Sequence, residues 1–438
     1  MRTSRYGNRA RKCEIRGLLP LPLRLLDLDC ETNMHQSLVE LVDSLQTAHQ
    51  SMIAQLHQFC EINSSTKNLD GLKMMHQTLQ STFIPIADEI SARKLPESSS
   101  IDMNGEISCR VFGDALFVQK RPKLQRRVFL CGHMDTVYDA SHPFQKLSYI
   151  DDNTLNGPGV TDMKGGLVVM LHALNAFERT PFAQSLGWDV LINSEEEVGS
   201  PSSSPFFEEI CKNYQAALVY EPAMNPKGTL AKNRKGSGKF TLVATGKAAH
   251  AGRDFFSGRN AICYLAEVVT AINALNRQRN GVTINVGKIS GGQALNVVPD
   301  KAVAKLDVRI GFAEDAAWVQ QQLETITNQF KRTDYSLFVH GGFGRPVKRV
   351  NQGTENLFTR IKELGHELDL TIDWSDSGGC CDGNNLAKHG LPVIDTLGVR
   401  GDNIHTSNEY VLLDSLVERA ALSALLLVDL AQGGLEKL

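Results

Sequence analysis

The sequence predicts an α/β protein in which a smaller α+β domain is inserted into a larger domain. Apolar segments typical of buried strands alternate with helical patterns over most of the chain, an order that produces a largely parallel sheet covered by helices. From about residue 232 the order changes to strand, helix, strand, strand, helix, strand, which is the ferredoxin-like arrangement. A chain of 438 residues is long enough for both domains.

The composition favours a small-molecule or peptide partner in a reducing cytoplasm. With 42% hydrophobic and 22% charged residues, the chain resembles an ordinary soluble globular protein. Its formal net charge of −3 provides no basic field for nucleic acid or an anionic membrane, and no uncharged apolar run is long enough to cross a bilayer. The nine cysteines are an odd number without a CxxC pair, which argues against a disulfide framework or a structural zinc knot.

The N-terminal segment differs from the rest of the chain. Basic residues precede an apolar stretch at 18–28, as in a signal peptide, but Pro20 and Pro22 interrupt that stretch. We therefore expect residues 1–33 to be a disordered leader, and the folded chain to begin with an amphipathic helix at Met34.

The first part of the larger domain, residues 34–231, begins with helices and continues with alternating strands and helices. Helical spacing of apolar residues predicts helices at 38–62 and 69–83, and alternation predicts short strands within 105–121. The central layer then follows as strand 127–132, helix 167–177, strand 188–193, helix 206–214 and strand 217–220. In such a sheet, binding sites form at the carboxyl ends of the strands.

The inserted domain spans residues 232–343, and the larger domain resumes at residues 344–438. The elements of the insertion are the strands 239–245, 282–289, 302–309 and 335–340 and the helices 260–275 and 315–330. The resumed part consists of helix 351–366, strand 368–374, a glycine-rich turn at 378–379, helix 384–389, strand 392–397 and the closing helix 412–430. The larger domain is therefore built from two separate segments of the chain.

Several polar residues stand directly after predicted strands. His133, Glu196 and Glu221 each follow one, so the parallel sheet brings them together. Glu196 belongs to an acidic run at 195–197, whose like charges need solvent, basic partners or a metal ion. A solvated acidic loop is the simplest alternative, because charge runs are usually solvated.

The other candidates also have structural alternatives. His133 alone is better explained as a core histidine than as a ligand. Asp135, on the same strand face, changes this interpretation because it supplies a carboxylate of the kind that orients a metal-bound imidazole. Asp162 serves either as a helix cap or as a bridge between two cations. Glu221 fits a salt bridge, and His405 lies in a loop, where a histidine is as often exposed as functional.

Six motifs occur together along the chain. They are GHMDTV at 132–137, GVTDMKG at 159–165, EEEVGS at 195–200, Glu221-Pro222, GKAAHAG at 246–252 and the terminal His405. In this order they resemble the dinuclear zinc amidohydrolases, which include glutamate carboxypeptidases of the carboxypeptidase G type, acetylornithine deacetylase, succinyl-diaminopimelate desuccinylase and aminoacylase. The resemblance covers nearly the whole chain from about residue 35. It implies a zinc-peptidase-like mixed sheet between helices, with an inserted ferredoxin-like dimerisation (lid) domain.

The resemblance implies a site for two zinc ions. His133 and Glu221 complete the ligands of one ion, and Glu197 and His405 complete those of the other. Asp162 bridges the two ions. Mn²⁺ and Co²⁺ suit the same imidazole and carboxylate ligands.

The resemblance also implies the catalytic roles. Glu196 corresponds to the general base, which accepts a proton as a hydroxide shared by the ions attacks the amide carbonyl. Asp135 is added to these catalytic residues because its spacing from His133 suits a carboxylate that orients the metal-bound imidazole. His250 reaches the active site of the partner subunit and stabilises the oxyanion, which implies a homodimer. Asn296 and Arg309 correspond to residues that hold a substrate carboxylate.

The sequence therefore predicts a cytoplasmic, homodimeric, zinc-dependent amide hydrolase. Its substrate is an N-acyl amino acid or a peptide with a free carboxylate, as in the carboxypeptidase G branch. An acetylornithine deacetylase or desuccinylase type of deacylase is the alternative with the same mechanism. A catalytically silent binding protein is the alternative of another class; it would lack Glu196 or a metal ligand, and this sequence retains them all.

Two details are not explained by the roles that the resemblance assigns. Glu195 has no assigned role and is expected to be a solvated neighbour of the two functional glutamates. The glycine-rich loop at 378–383 departs from the usual pattern by carrying Cys380 and Cys381, for which we expect ordinary packing. That departure bears on the choice of substrate rather than on the chemistry.

Overall fold

The computed structural model describes residues 32–438. The leader predicted at residues 1–33 lies outside the described residues, except for its last two, which begin the first helix. The α-helices are α1 (Thr32–Thr47), α2 (His49–Cys60), α3 (Leu69–Phe83), α4 (Lys164–Glu178), α5 (Ser204–Ile210), α6 (Ala261–Asn273), α7 (Glu314–Gln329), α8 (Gln352–Glu367), α9 (Asp382–Ala387) and α10 (Asp414–Ala431). Across residues 32–438, no helix is both long and apolar enough to span a bilayer.

The strands belong to several sheets. They are β1 (Glu89–Arg93), β2 (Ser98–Ile101), β3 (Ile107–Arg110), β4 (Ala115–Lys120), β5 (Arg127–His133), β6 (Ser148–Tyr149), β7 (Thr154–Asn156), β8 (Gly187–Asn193), β9 (Ala216–Val219), β10 (Leu230–Arg234), β11 (Gly236–Thr245), β12 (Ala249–His250), β13 (Thr283–Gly291), β14 (Val297–Val298), β15 (Lys301–Ile310), β16 (Ser336–Arg345), β17 (Trp374–Ser377), β18 (Val393–Ile394), β19 (Gly401–Asp402) and β20 (Tyr410–Leu412). Two of these sheets position the candidate site.

The largest sheet among the described residues is mixed and has six strands. Its strand order is β1-β4-β8-β5-β9-β18; the last four strands run parallel, whereas β1 and β4 add an antiparallel edge. In β5, Val128 and Leu130 face a core shared with α1, α2, α4 and α10, while Phe129 and Cys131 face a second core with α5 and α9. Helices therefore cover both faces, which confirms the predicted mixed sheet between helices.

The second sheet is antiparallel and has the order β13-β15-β11-β16. Apart from the short β12–β14 pair, its elements follow one another as β11-α6-β13-β15-α7-β16, the order that the sequence predicts. Leu242 and Leu306 on the strands pack against Leu265 of α6 and Val319 of α7. Both helices lie on one face of this sheet, and the opposite face lines a cleft.

Two predicted elements differ from the structure. The helix predicted at 38–62 is divided into α1 and α2, which pack on the same core, so that the apolar pattern continues across the break. The strand predicted at 368–374 is wrong, because the observed strand begins only at Trp374 and pairs with β10. Leu368 and Ile372 are buried in the large core without belonging to a sheet. The spacing of these buried residues therefore resembles that of a strand, although no strand forms before Trp374.

Candidate metal centre

Three parallel strands deliver polar residues to one edge of the central sheet. His133 is the last residue of β5, and β8 ends at Asn193, two residues before the first glutamate of the acidic run. β9 ends at Val219, two residues before Glu221. Because β8, β5 and β9 are parallel neighbours, their carboxyl ends meet at the same edge.

All five predicted metal ligands come together there. Ligand atoms of His133, Asp162 and Glu221 lie within 4.8 Å of one another. Those of Asp162, Glu197 and His405 do the same. Asp162 belongs to both groups: its Oδ1 lies 3.2 Å from Nε2 of His133, and its Oδ2 lies 3.2 Å from Nε2 of His405. Imidazole nitrogens and carboxylate oxygens are ligands of Zn²⁺ and similar ions, so the donor set fits two metal ions that share one carboxylate.

The electrostatics of the cluster also fit a pair of cations. Burial and the charge of Asp162 raise the pKa of Glu197 to about 8. Burial and the charge of Glu196 raise the pKa of Glu221 well above its usual range. Hydrogen bonds to Asp162 and Glu197 raise the pKa of His405 to about 11, so a proton on this imidazole balances part of the negative charge. Divalent cations would replace such protons.

Asp135 holds both the imidazole of His133 and the acidic turn. Nδ1 of His133 lies 2.9 Å from the backbone oxygen of Asp135 and 3.4 Å from its carboxylate. That buried carboxylate accepts hydrogen bonds from the backbone N–H groups of Glu196 (3.1 Å) and Glu197 (3.3 Å) and from the Thr66 hydroxyl (2.7 Å). Asp135 therefore fixes the two glutamates relative to the end of β5.

Arg345, at the end of β16, contacts Glu196 and was not predicted from the sequence. Its guanidinium lies 2.6 Å from Oε1 of Glu196, forms an ion pair with Asp382 and donates a hydrogen bond to the Ser200 hydroxyl (3.0 Å). Burial raises the pKa of Glu196, and the charge of Arg345 opposes that rise. Oε2 of Glu196 has no hydrogen-bond partner among residues 32–438, and the side chain lines a cleft.

That cleft, which we call the metal cleft, has a volume of about 490 Å³ and opens over the ligand cluster. Arg309 lies on its wall: Nη1 donates a hydrogen bond to Sγ of Cys380 (3.2 Å), and Nε and Nη2 donate to Asp307 (2.7 and 3.1 Å). Cys381 is buried at the start of α9, as expected for ordinary packing. Both cysteines line the metal cleft, and burial raises the pKa of the Cys380 thiol.

Residues 129–429 match the family described as peptidase family M20/M25/M40. The chain belongs to this family. Over 329 residues it is 28% identical to carboxypeptidase G2 of Pseudomonas sp. (strain RS-16), an alignment that covers 74% of this chain and 78% of that protein. Over 277 residues it is 32% identical to a probable carboxypeptidase of Aspergillus terreus (strain NIH 2624 / FGSC A1156), which covers 56% of this chain and 55% of that protein. The chain is thus a hydrolase of the metallopeptidase class with carboxypeptidases among its relatives.

Solved structures show the same mixed α/β fold. A tripeptidase from Staphylococcus aureus subsp. aureus mu50 has a TM-score of 0.66 at 21% identity, with 88% of this chain and 99% of that chain covered. An M20 family metallo-carboxypeptidase from Sulfolobus solfataricus has a TM-score of 0.66 at 15% identity, with 87% of this chain and 99% of that chain covered. The family and the fold class predicted from the motifs are therefore confirmed.

In this M20 chain, His250 and Asn296 lie apart from the ligand cluster. His250 is exposed in β12, and its Nδ1 accepts a hydrogen bond from the N–H of Gly252 (3.1 Å). Asn296 is also exposed, and its backbone oxygen accepts a hydrogen bond from the N–H of Ala251 (2.9 Å). Neither residue lines the metal cleft. Within one chain, His250 and Asn296 are therefore near each other but outside the metal cleft.

Glu409 orders the M20 loop that carries Asp162, although sequence reasoning missed it. Its carboxylate accepts hydrogen bonds from the backbone N–H groups of Gly159 (3.1 Å), Thr161 (2.9 Å) and Asp162 (3.0 Å) and from the Tyr138 hydroxyl (2.7 Å). Burial raises the pKa of Glu409, while these hydrogen bonds oppose the rise. An isolated acidic residue after the last motif was the only signal in the sequence, and such residues are too common to indicate a role.

The prediction that Glu195 is solvated is wrong. Its side chain is buried, and its carboxylate accepts hydrogen bonds from the N–H groups of Ser202 (3.0 and 3.1 Å) and Ser203 (2.6 Å). Burial raises its pKa to about 7 in spite of these hydrogen bonds. Gly199, with a φ of 101°, adopts a left-handed conformation after the acidic turn, which glycine tolerates best. The chain reverses there and brings the serine amides back to Glu195.

Proposed function

We propose that the chain hydrolyses the amide bond of an N-acyl amino acid, or of a peptide with a free carboxylate, in the manner of a glutamate carboxypeptidase and with two zinc ions. The observation that carries this proposal is the position of Asp162 between two groups of ligand atoms, next to Glu196 in the same cleft. The 28% identity to carboxypeptidase G2 supports this choice of substrate class.

Five side chains would hold the ions. His133 and Glu221 complete one site, Glu197 and His405 complete the other, and Asp162 is shared. Two zinc ions bound there would polarise the substrate carbonyl and make a water molecule acidic enough to act as a nucleophile near neutral pH. Mn²⁺ and Co²⁺ accept the same ligands and would support the same reaction.

Glu196 acts as the general base in this proposal. Its Oε2 takes a proton from the attacking water and delivers it to the leaving amine nitrogen. Arg345 anchors Oε1 at 2.6 Å, whereas the neighbouring Glu197 pairs with His405 at 3.2 Å. Asp135 binds the backbone N–H groups of both glutamates and so fixes their positions. In this arrangement Glu196 is placed to transfer a proton and Glu197 to bind a metal ion.

Arg309 receives the carboxylate of the substrate. Its Nε and Nη2 are held by Asp307, but Nη1 contacts only the thiol of Cys380, which is a weak acceptor. A substrate carboxylate makes a stronger, charge-assisted hydrogen bond and would replace the thiol at this nitrogen. Substrates without a free carboxylate should therefore bind poorly.

A panel of matched substrates tests this function. Zinc-loaded protein is incubated with N-acyl amino acids and dipeptides, each as the free acid and as the α-amide, and the free amine is measured. We expect amine release from the free acids only, lost on chelation and restored by Zn²⁺ or Mn²⁺. A preference for N-acetyl compounds over those with longer acyl groups would instead favour the deacylase alternative. Zinc binding without amine release from any compound would favour the third alternative, a catalytically silent binding protein.

The enzyme is proposed to be a cytoplasmic homodimer that associates through the inserted domain, residues 232–343. Phe256 and Leu295 are exposed apolar side chains in the same loops that carry His250 and Asn296. Covering that surface with a second subunit would bury apolar area and bring both polar residues to the metal cleft of the partner, where His250 stabilises the oxyanion. The seven cysteines of the described residues are all unpaired, in keeping with a reducing compartment.

Hybrid dimers test the role of His250 in the partner's active site. The variants His250→Ala and Glu196→Gln should each lose roughly a hundredfold or more in turnover. Mixed in equal amounts and allowed to exchange subunits, they should recover about a quarter of wild-type activity, because half of the dimers are mixed and each has one complete site. Mixing His250→Ala with a variant carrying both substitutions is the control, and should recover nothing. Absent recovery despite exchange of mass-labelled subunits would contradict the role.

A further inference from the structure

A second cleft of about 830 Å³ adjoins the metal cleft. We call it the basic cleft. It lies between the hairpin of β2 and β3 on one side and the helix-free face of the inserted sheet on the other. Gly199, Lys239 and Arg345 line both clefts, so the two spaces are continuous. A substrate bound at the metal ligands has room to extend into it.

Two lysines face each other across neighbouring strands on the floor of the basic cleft. Lys288 of β13 is directly opposite Lys305 of β15. The register shifts between Val286 and Lys288, so that Gly287 is a bulge that turns Lys288 to the same face as Lys305. Like charges directly opposite each other in an antiparallel pair are destabilising. The arrangement therefore has a cost that the fold alone does not explain.

Among the described residues, the two lysines have no direct contact with a carboxylate. Hydrogen bonds from the N–H groups of Glu106 and Asn104 and, to a smaller extent, the charge of Lys305 lower the pKa of Asp102, so that carboxylate offsets part of the repulsion. Among residues 32–438, neither Lys288 nor Lys305 forms an ion pair, whereas Lys301 on the same strand pairs with Glu106 at 2.6 Å. Asp307, which also lines the basic cleft, is bound through both oxygens by Arg309. The positive charge on this face remains available to a ligand.

Neighbouring groups add hydrogen-bond donors to the two lysines. Thr241 and His340 continue the same row across the sheet, since Thr241 pairs with both Lys305 and His340. The hairpin on the other side of the cleft contributes Ser100. Lysine ammonium groups flanked by hydroxyl and imidazole groups are suited to bind a carboxylate or a phosphate group.

We propose that the basic cleft binds a second anionic group of the substrate, on the part of the molecule remote from the carboxylate at Arg309. This inference rests on the proposed amide hydrolysis and specifies its substrate class. The preferred substrate carries at least two anionic groups, one on each side of the scissile amide. Lys288 and Lys305 determine that preference without touching the reacting atoms.

Matched acyl chains test the inference. One series of N-acyl amino acids carries a dicarboxylic acyl group of increasing length, and the second carries the monocarboxylic acyl group of the same length. Wild type should prefer the dicarboxylic series by about tenfold in kcat/KM through a lower KM, and less so at high salt. The double variant Lys288→Gln/Lys305→Gln should lose this preference but retain wild-type activity on the monocarboxylic series. The control Lys331→Gln/Lys362→Gln removes two exposed lysines elsewhere and should behave as wild type.

The outcomes separate this inference from the proposed function. If the monocarboxylic series is cleaved and the double variant matches wild type on both series, the inference is wrong and the hydrolase remains. If no compound is cleaved, calorimetry measures the binding of the dicarboxylic compounds to wild type and to the double variant. Binding that requires both lysines supports the proposed anion site in the basic cleft, whereas binding that is unchanged in the double variant overturns it. Inorganic phosphate that binds as tightly as the dicarboxylic compounds would identify a free-anion site and overturn the inference.

Discussion

Glu196→Gln is expected to lower turnover at least roughly a hundredfold while the protein keeps its bound metal. The glutamine side chain retains the shape of Glu196 and one oxygen toward Arg345, but it does not accept a proton at neutral pH. Because Glu196 belongs to neither group of ligand atoms, the metal content should stay at the wild-type value. Steady-state kinetics on the best substrate and metal analysis of the same preparation measure both effects.

The neighbouring Glu195 provides a matched control. Glu195→Gln makes the same chemical change one residue away, at a buried carboxylate that binds the amides of Ser202 and Ser203. We expect a lower melting temperature, since an amide is a poorer acceptor than a carboxylate, with kcat close to wild type. Near-normal turnover of Glu196→Gln would remove Glu196 as the base, and a comparable loss in Glu195→Gln would show that the first effect was structural.

The resemblance supplied the five candidate ligands, and for two of them a general rule about strand ends supplied the position as well. His133 and Glu221 follow neighbouring parallel strands, and such strands deliver their following residues to one edge whatever the details of packing. Asp162 and His405 were predicted from their motifs and resemblance, since both lie in loops outside the central sheet. The structure brings them together in two groups of three that share Asp162.

Arg345 and Glu409 were missed because their contacts depend on tertiary structure alone. Arg345 reaches Glu196 across 149 residues of sequence, from the end of β16. Glu409 reaches the backbone of Asp162 across 247 residues. Neither residue lies in a periodic pattern or in one of the six motifs. The helices show the reverse case: α3 was predicted at 69–83 and observed at Leu69–Phe83, because its apolar spacing is local.

The remaining errors have the same origin. The pattern at 368–374 alternates like a strand, but its buried residues pack in the core that α1, α2, α4 and α10 share rather than in a sheet. Glu195 looked like part of a solvated acidic run, yet the reversal after Gly199 surrounds it with amides. In both places the local composition was compatible with two environments, and contacts distant in sequence determined which one formed.

Asp162→Asn is expected to abolish binding of both metal ions at once and to lower activity by more than roughly a thousandfold, since the ions supply several kcal/mol of transition-state stabilisation. Asp162 is the one side chain common to the two ligand groups found among residues 32–438, and an amide oxygen does not replace a bridging carboxylate. Metal analysis after dialysis against a zinc buffer measures the stoichiometry. Retention of both ions would contradict the shared position of Asp162, and retention of one would show that only one group depends on it.

Glu409→Gln tests whether Glu409 acts by positioning the metal ligand Asp162 rather than by binding metal itself. Glu409 lies in neither ligand group but binds the N–H groups of Thr161 and Asp162, and a glutamine would direct an NH₂ group toward one of these donors. The apparent zinc affinity should fall about 10–100-fold, as for other residues that orient a metal ligand, while saturating zinc still fills both positions. Asp162→Asn should not be rescued by any zinc concentration. If saturating zinc rescues Glu409→Gln but not Asp162→Asn, then Asp162 binds the ions and Glu409 positions Asp162.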